Sequence, residues 1–270
     1  MSALTFRLRE NPSQRLDMSP FTPRRLAGKK CHEIARIPLW LGNREVACGE
    51  LFTIDGEVAG ELVIQSDSDR LDRIGAGLDG GIIRVEGDAG AYLGHGMRDG
   101  HIQVSGSAGV SAGCAMCGGG LTIDGNAGDF LGGAVAGERR GMRGGTLMVK
   151  GNAGDRAGDL LRRGTILIGG DSGDYCASRM VAGTLVVLGR SGAQTGFAMR
   201  RGTLITTQEP ASLPATFNDN GRHRLSFLTL FNNHFQDAAT FSDLRERGDR
   251  VRRWVGDLSC DGKGEILIWE

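Results

Sequence analysis

Residues 164–189 read GTILIGGDSGDYCASRMVAGTLVVLG, and one pattern occurs twice in that stretch: Gly, any residue, apolar, any residue, apolar, any residue, Gly. Outward from it, the same unit opens at Gly81, Gly100, Gly119, Gly145, Gly164, Gly183 and Gly202, at intervals of 19, 19, 26, 19, 19 and 19 residues. Self-similarity at a fixed short period marks a repeat architecture. The one irregular interval is a seven-residue insertion around Ala134 to Gly141, which a surface loop accommodates.

Aligned by column, the third position reads Ile83, Ile102, Leu121, Leu147, Ile166, Leu185 and Leu204, and the fifth reads Val85, Val104, Ile123, Val149, Ile168, Val187 and Thr206. Alternation over five residues is the period of a strand with one buried face. Recurrence every 19 residues lets each strand stack in register on the one before it. After each strand comes a small turn element such as Asp88-Ala89-Gly90 or Asn126-Ala127-Gly128, followed by an inward column of Met97, Met116, Met142, Leu161, Met180 and Met199. The glycine admits a corner, and flexible methionines fill an irregular interior. The expected fold is mostly β: a single-stranded right-handed parallel β-helix of about seven to nine 19-residue coils, with handedness taken from the rule for parallel crossovers.

Weaker coils are expected at Gly49 to Asp55 and at Gly60 to Ser66, where Leu62 and Ile64 keep the inward alternation. The expected organisation is therefore an N-terminal cap or arm at 1–45, the glycine-rich repeat at 46–207, and a C-terminal cap at 208–270. Caps are needed because a stacked repeat exposes unpaired strand edges at both ends. In the second cap, Leu225 to Phe231 reads as a strand, Phe241 to Val255 as a short charged helix, and Glu265 to Trp269 as a terminal strand.

Composition supports this and narrows function. Glycine makes up 45 of 270 residues with only 6 prolines and no three-residue period, so the glycines serve turns and not a collagen helix. The 32 basic and 32 acidic side chains cancel, which argues against nucleic acid or an anionic membrane as partner. No apolar run approaches a membrane span or a secretory signal, and six scattered cysteines in a chain of this size read as reduced thiols, so a cytoplasmic location is expected.

Catalytic motifs are missing from the sequence: no Walker loop, zinc-protease helix or Ser/His/Asp order is found. Cys114 and Cys117 have metal-like spacing and His95 holds the repeat position of Cys114 one coil earlier, but a zinc site takes about four ligands and no second cysteine pair exists. Two features ask for partners. The outward column changes to Met148, Leu167, Val186 and Ile205 in the later coils, a candidate interface stripe to be covered either by the C-terminal segment or by another subunit. Arginines Arg139, Arg140, Arg143, Arg162, Arg163, Arg200 and Arg201 recur at corners, either paired with Asp99, Asp159 and Glu138 or forming a strip for an acidic partner or anionic tail.

The repeated Gly-x-φ-x-φ-x-Gly with Asn/Asp-Ala-Gly, over residues 60 to 207, resembles the glycine-rich β-helix shared by two families. One is the C-terminal domain of the glutamate synthase large subunit, the other the C component of formylmethanofuran dehydrogenase and of the formyltransferase/hydrolase complex. The leader Leu16-Asp17-Met18-Ser19-Pro20, the run Ile34 to Leu39, and Gly42-Asn43-Arg44 through Phe52 look more like the C-component group. The resemblance implies a structural, non-catalytic subunit. Its sister subunits would be amidohydrolase-like, formyltransferase and one further chain, with zinc in a sister subunit and a methanofuran-type cofactor whose anionic tail the arginines contact. The implied complex transfers a formyl group from formyl-tetrahydromethanopterin to that cofactor and releases formate in one-carbon metabolism. The alternatives are the C component of a molybdenum or tungsten formylmethanofuran dehydrogenase, and a glutamate synthase-like domain in amidotransfer. Arginine outnumbers lysine 28 to 4, which suits a GC-rich methylotrophic host.

Overall fold

The computed structural model describes residues 3–235, 241, 244, 247–260 and 262–270. The chain is mostly β. Its strands are β1 (Ala3–Leu8), β2 (Leu16–Asp17), β3 (Pro38–Leu41), β4 (Arg44–Ala47), β5 (Phe52–Asp55), β6 (Glu57–Ser66), β7 (Leu71–Asp72), β8 (Asp79–Gly87) and β9 (Asp99–Val104). They continue as β10 (Gly120–Ile123), β11 (Arg143–Val149), β12 (Arg163–Ile168), β13 (Thr184–Val187), β14 (Thr203–Thr206), β15 (Asn218–Arg224), β16 (Arg250–Gly256) and β17 (Gly264–Trp269). Three single-turn helices, α1 (Pro23–Leu26), α2 (Cys31–Ile34) and α3 (Cys48–Leu51), precede the repeat, and α4 (Phe227–Phe235) follows it. No helix among the described residues is long and apolar enough to cross a membrane.

One large mixed sheet runs β15-β16-β17-β14-β13-β12-β11-β10-β9-β8-β6-β1-β5, and from β1 to β17 its neighbours pair parallel. Register follows the repeat: Leu147 lies beside Ile166, Ile166 beside Leu185, and Leu185 beside Leu204. A second line of parallel bridges joins the turn residues Ala89, Ala108, Ala127, Ala153, Ser172 and Ser191. Every repeat is thus one rung stacked in register on the rungs above and below, about 4.8 Å apart. The third- and fifth-position columns and the methionine column are all buried to within 1%. Burying each such side chain contributes roughly 1.5–3 kcal/mol.

The opening glycine of each unit has a positive φ, for instance +99° at Gly164, where a Cβ would come within 2.7 Å of the Gly145 carbonyl oxygen. That is why the first column admits no other residue. Turn side chains form their own ladder: Asn126 Oδ1 accepts from the Asn152 N–H at 2.8 Å, and Asn152 Oδ1 accepts from the Asp171 N–H at 2.8 Å. Replacing Asn152 with alanine strands one backbone donor and is expected to cost about 1 kcal/mol. A lowered urea midpoint with an unchanged slope would report it.

Three local expectations are corrected. Residues 49–55 do not form a coil: β5 pairs antiparallel with β1, and β1 itself lies beside β6, its Leu4 and Phe6 taking the inward positions next to Leu62 and Ile64. The run from Leu225 becomes α4 because Leu228, Asn232 and Phe235, spaced four and three apart, face inward on a helix. The expected helix at 241–255 gives way from Arg250 onward to β16, paired antiparallel with β15 and β17, while residues 242, 243, 245 and 246 lie outside the described ones. The terminal strand forms as expected, and β17 extends the parallel stack beyond β14.

The outward apolar column is also reassigned. Leu167, Val186 and Ile205 are fully buried, and with partly buried Met148 they form a second core with Leu228, Phe235, Phe241, Leu244, Val251, Leu267 and Trp269. The C-terminal segment covers the column, so Leu167, Val186 and Ile205, with Met148 at their edge, form an internal seam.

Candidate anion-binding cleft

The corner after the methionine column occupies one position on successive rungs. Arg143 N donates to Met116 O, Arg162 N to Met142 O, Val181 N to Leu161 O, Arg200 N to Met180 O, and Lys263 N to Arg200 O. These hydrogen bonds stack Arg143, Arg162, Val181, Arg200 and Lys263 along one edge of the rungs, with Arg163 in register beside Arg143. Five rungs at about 4.8 Å spacing make a track of roughly 19 Å.

The result is a cleft of about 940 Å³ lined by Arg140, Arg143, Arg162, Arg163, Arg200, Arg201 and Lys263, with Val181, Ala182 and Cys260. Six of the seven arginines marked in the sequence converge on it, and Arg139 stays exposed on the insertion outside its lining. Val181 and Ala182 are short, so between the Arg162–Arg163 and Arg200–Arg201 rungs the cleft has an apolar floor and cationic walls. Lys263 and Cys260 escape a reading of the sequence because β17 lies outside the repeat period; no signal there places it on the last rung.

Among the described residues, no carboxylate pairs with this cluster. Asp159 is 1% exposed and committed elsewhere, accepting from Arg179 and, at 2.7 Å, from the Ser178 hydroxyl. Among the described residues, none of the cleft's seven cations forms an ion pair. Cations on adjacent rungs lie within a Debye length of about 8 Å at physiological salt, so they repel one another until an anion arrives. Guanidinium forks match carboxylates in bidentate geometry. The arrangement suits an extended ligand bearing several carboxylates.

The other candidate group behaves differently. His95 and Cys114 do sit on neighbouring rungs, with Gly96 N donating to Cys114 O at 3.0 Å. Cys114 is fully buried and burial pushes its thiol up to about 12, while Cys117 is exposed and its Sγ lies 3.4 Å from Ala115 O. Burial first, and the Arg73 charge second, hold His95 below the usual imidazole range, and its Nδ1 is buried without a hydrogen-bond partner. Among the described residues no group of three or more His, Cys, Asp or Glu side chains has a metal-holding arrangement.

Thiol reactivity checks this ordering. Burial also raises Cys48 to about 12 and Cys176 to about 11. Because only thiolate attacks a disulfide reagent, Cys117 is expected to react with it at pH 8 while Cys48, Cys114 and Cys176 react only after denaturation. Mass spectrometry of the labelled sites reads the outcome.

No family model matches the chain. Among curated proteins it is 43% identical over 86 residues to the C component of the formyltransferase/hydrolase complex Fhc of Methylorubrum extorquens, an alignment covering 32% of each chain. It is 36% identical over 83 residues to the C component of the molybdenum-containing formylmethanofuran dehydrogenase 1 of Methanosarcina barkeri, covering 29% of this chain and 28% of that one. The aligned segments thus span about a third of the curated relatives' lengths. A solved structure extends the likeness: a chain in the crystal structure of the formyltransferase/hydrolase complex (FhcABCD) from Methylorubrum extorquens with methylofuran superposes at a TM-score of 0.91. That match has 42% identity and covers 98% of each chain. With that likeness end to end, and the C component as the match by sequence, the chain belongs to the family of C components of formyltransferase/hydrolase complexes.

Proposed function

We propose that the chain is the structural, non-catalytic C component of a cytoplasmic formyltransferase/hydrolase complex. In this reading the complex transfers a formyl group from formyl-tetrahydromethanopterin to a methanofuran-type cofactor and releases formate. The reacting centres, zinc included, lie on amidohydrolase-like and formyltransferase sister subunits, and the complex holds one further sister subunit. The observation that carries this reading is the 42% identity over 98% of a chain in a methylofuran-containing complex. The stacked rungs are read as a right-handed, single-stranded parallel β-helix spanning 46–207, with 1–45 and 208–270 as its caps.

The arginine cleft fits the anionic tail of such a cofactor, or an acidic face of a sister subunit: Arg162, Arg163, Arg200 and Arg201 would clamp successive carboxylates over the floor at Val181 and Ala182. Burial raises the thiols of Cys48, Cys114 and Cys176, so these three supply no nucleophile near neutral pH. The second reading, the C component of a molybdenum or tungsten dehydrogenase, draws on the 36% match to the Methanosarcina barkeri protein.

Co-expressing the sister subunits with and without this chain tests the proposal. Formyl transfer and formate release are expected to require the chain, and to survive Cys117→Ser and His95→Gln in it. Full activity without the chain, or loss of activity in either variant within an intact complex, would overturn the scaffold reading.

A further inference from the structure

A second column of side chains, on a different corner from the arginine cleft, follows the turn glycines. Tyr92 N donates to Val110 O, Ser111 N to Asp129 O, Phe130 N to Asp155 O, Arg156 N to Asp174 O, and Tyr175 N to Ala193 O, so these five residues occupy the same place on successive rungs. Arg73 precedes them, its N–H donating to Ala91 O. All six share a left-handed backbone, with φ of 60°, 60°, 62°, 60°, 60° and 57° from Arg73 to Tyr175, and therefore project alike. Planar cations and aromatic rings interleave along the column. The Arg73 guanidinium lies 5.3 Å from the Tyr92 centroid, and that of Arg156 lies 5.9 Å from Phe130 and 4.6 Å from Tyr175.

Ser111 is the one rung with a short side chain. It sits between Tyr92 and Phe130, two rungs apart, the separation at which Arg156 fits between Phe130 and Tyr175. The missing side chain leaves a cavity of about 530 Å³ lined by Tyr92, Ser111 and Phe130, with the insertion at 134–138 as its opposite wall. Its charge is acidic. Asp129 and Glu138 line it without an ion pair among the described residues, while Asp159 and Arg179 neutralise each other. Val110, 46% exposed beside the slot, offers apolar surface around it.

We infer that the slot over Ser111 binds a guanidinium, presented by an arginine side chain of a protein that docks on this face. The chain's own Arg156 shows which group the spacing accepts: a flat cation receives both ring faces, whereas a lysine ammonium is compact, strongly hydrated and gains less from stacking. Asp129 and Glu138 supply the counter-charge, and the φ of Ser111 is one at which Arg73 and Arg156 already stand.

Titration of the full chain with N-acetyl-L-arginine methylamide, and separately with the lysine counterpart, followed by NMR of the Tyr92 and Phe130 ring resonances, tests this. The arginine probe is expected to give saturable shifts at least about fivefold tighter than the lysine probe. Ser111→Arg is expected to fill the slot from within, abolishing binding while melting at or above the parent temperature. Glu138→Gln, on an exposed loop where folding is not at stake, is expected to weaken binding several-fold. Equal response to both probes, no saturable response, or unchanged binding by Glu138→Gln or a folded Ser111→Arg chain would overturn the inference.

Discussion

Replacing Arg162, Arg163, Arg200 and Arg201 together with serine is expected to weaken assembly of the chain with its partners by about a hundredfold at physiological salt. The four guanidinium groups line one cleft and form no ion pair among the described residues, so they present concentrated positive charge to an incoming anion. If each carboxylate contact is worth about 0.7 kcal/mol, within the range for exposed charged pairs, four of them account for that factor. Stability of the isolated chain should hold or rise slightly, because the substitution relieves repulsion and removes no buried contact. Binding measured by calorimetry at two ionic strengths should show parent affinity falling steeply with salt and the variant's curve nearly flat. Equal affinities and equal salt slopes would rule the cleft out as a docking site.

Val186→Asp should have the opposite signature. Val186 is fully buried between β13's neighbours and the C-terminal cover, in the core shared with Leu267 and Trp269. A carboxylate placed in that apolar core loses its hydration, and the loss expected is about 4 kcal/mol or more in the isolated chain. The variant should melt far below the parent or aggregate, with no partner present. Were this column an intersubunit surface, the isolated chain would tolerate aspartate and only assembly would fail. Thermal unfolding of the chain alone separates the two.

The arginine corners and the buried column differ in how far the sequence discloses them. The rungs are legible because each residue's role repeats every 19 positions, so seven weak signals reinforce one another at Ile83, Ile102, Leu121 and their successors. The arginine corners are legible for the same reason. Lys263 is not, because β17 reaches the last rung after a 57-residue excursion beyond β14 that carries no period. Nor does the outward column reveal its cover, since Leu228, Val251 and Leu267 reach it from that same excursion. At the other end, β1 enters the stack between β5 and β6, a long-range pairing that local alternation at Gly49–Asp55 cannot distinguish from one more coil. Leu225–Phe231 has both strand-like composition and helical spacing, and burial of Leu228 and Phe235 against the seam decides for the helix. The aromatic and cationic column over Tyr92, Phe130, Arg156 and Tyr175 stands two places after each turn glycine. Its identities vary, so it becomes visible only once the rungs bring the rings into contact.

Whether this chain works as a member of a complex is decided by affinity purification of the tagged chain from its native cell at low salt, followed by identification of the co-purifying proteins and elemental analysis. A scaffold component should come down with formyltransferase and amidohydrolase-like subunits and with zinc, whereas a lone soluble chain carrying none of these would contradict that role.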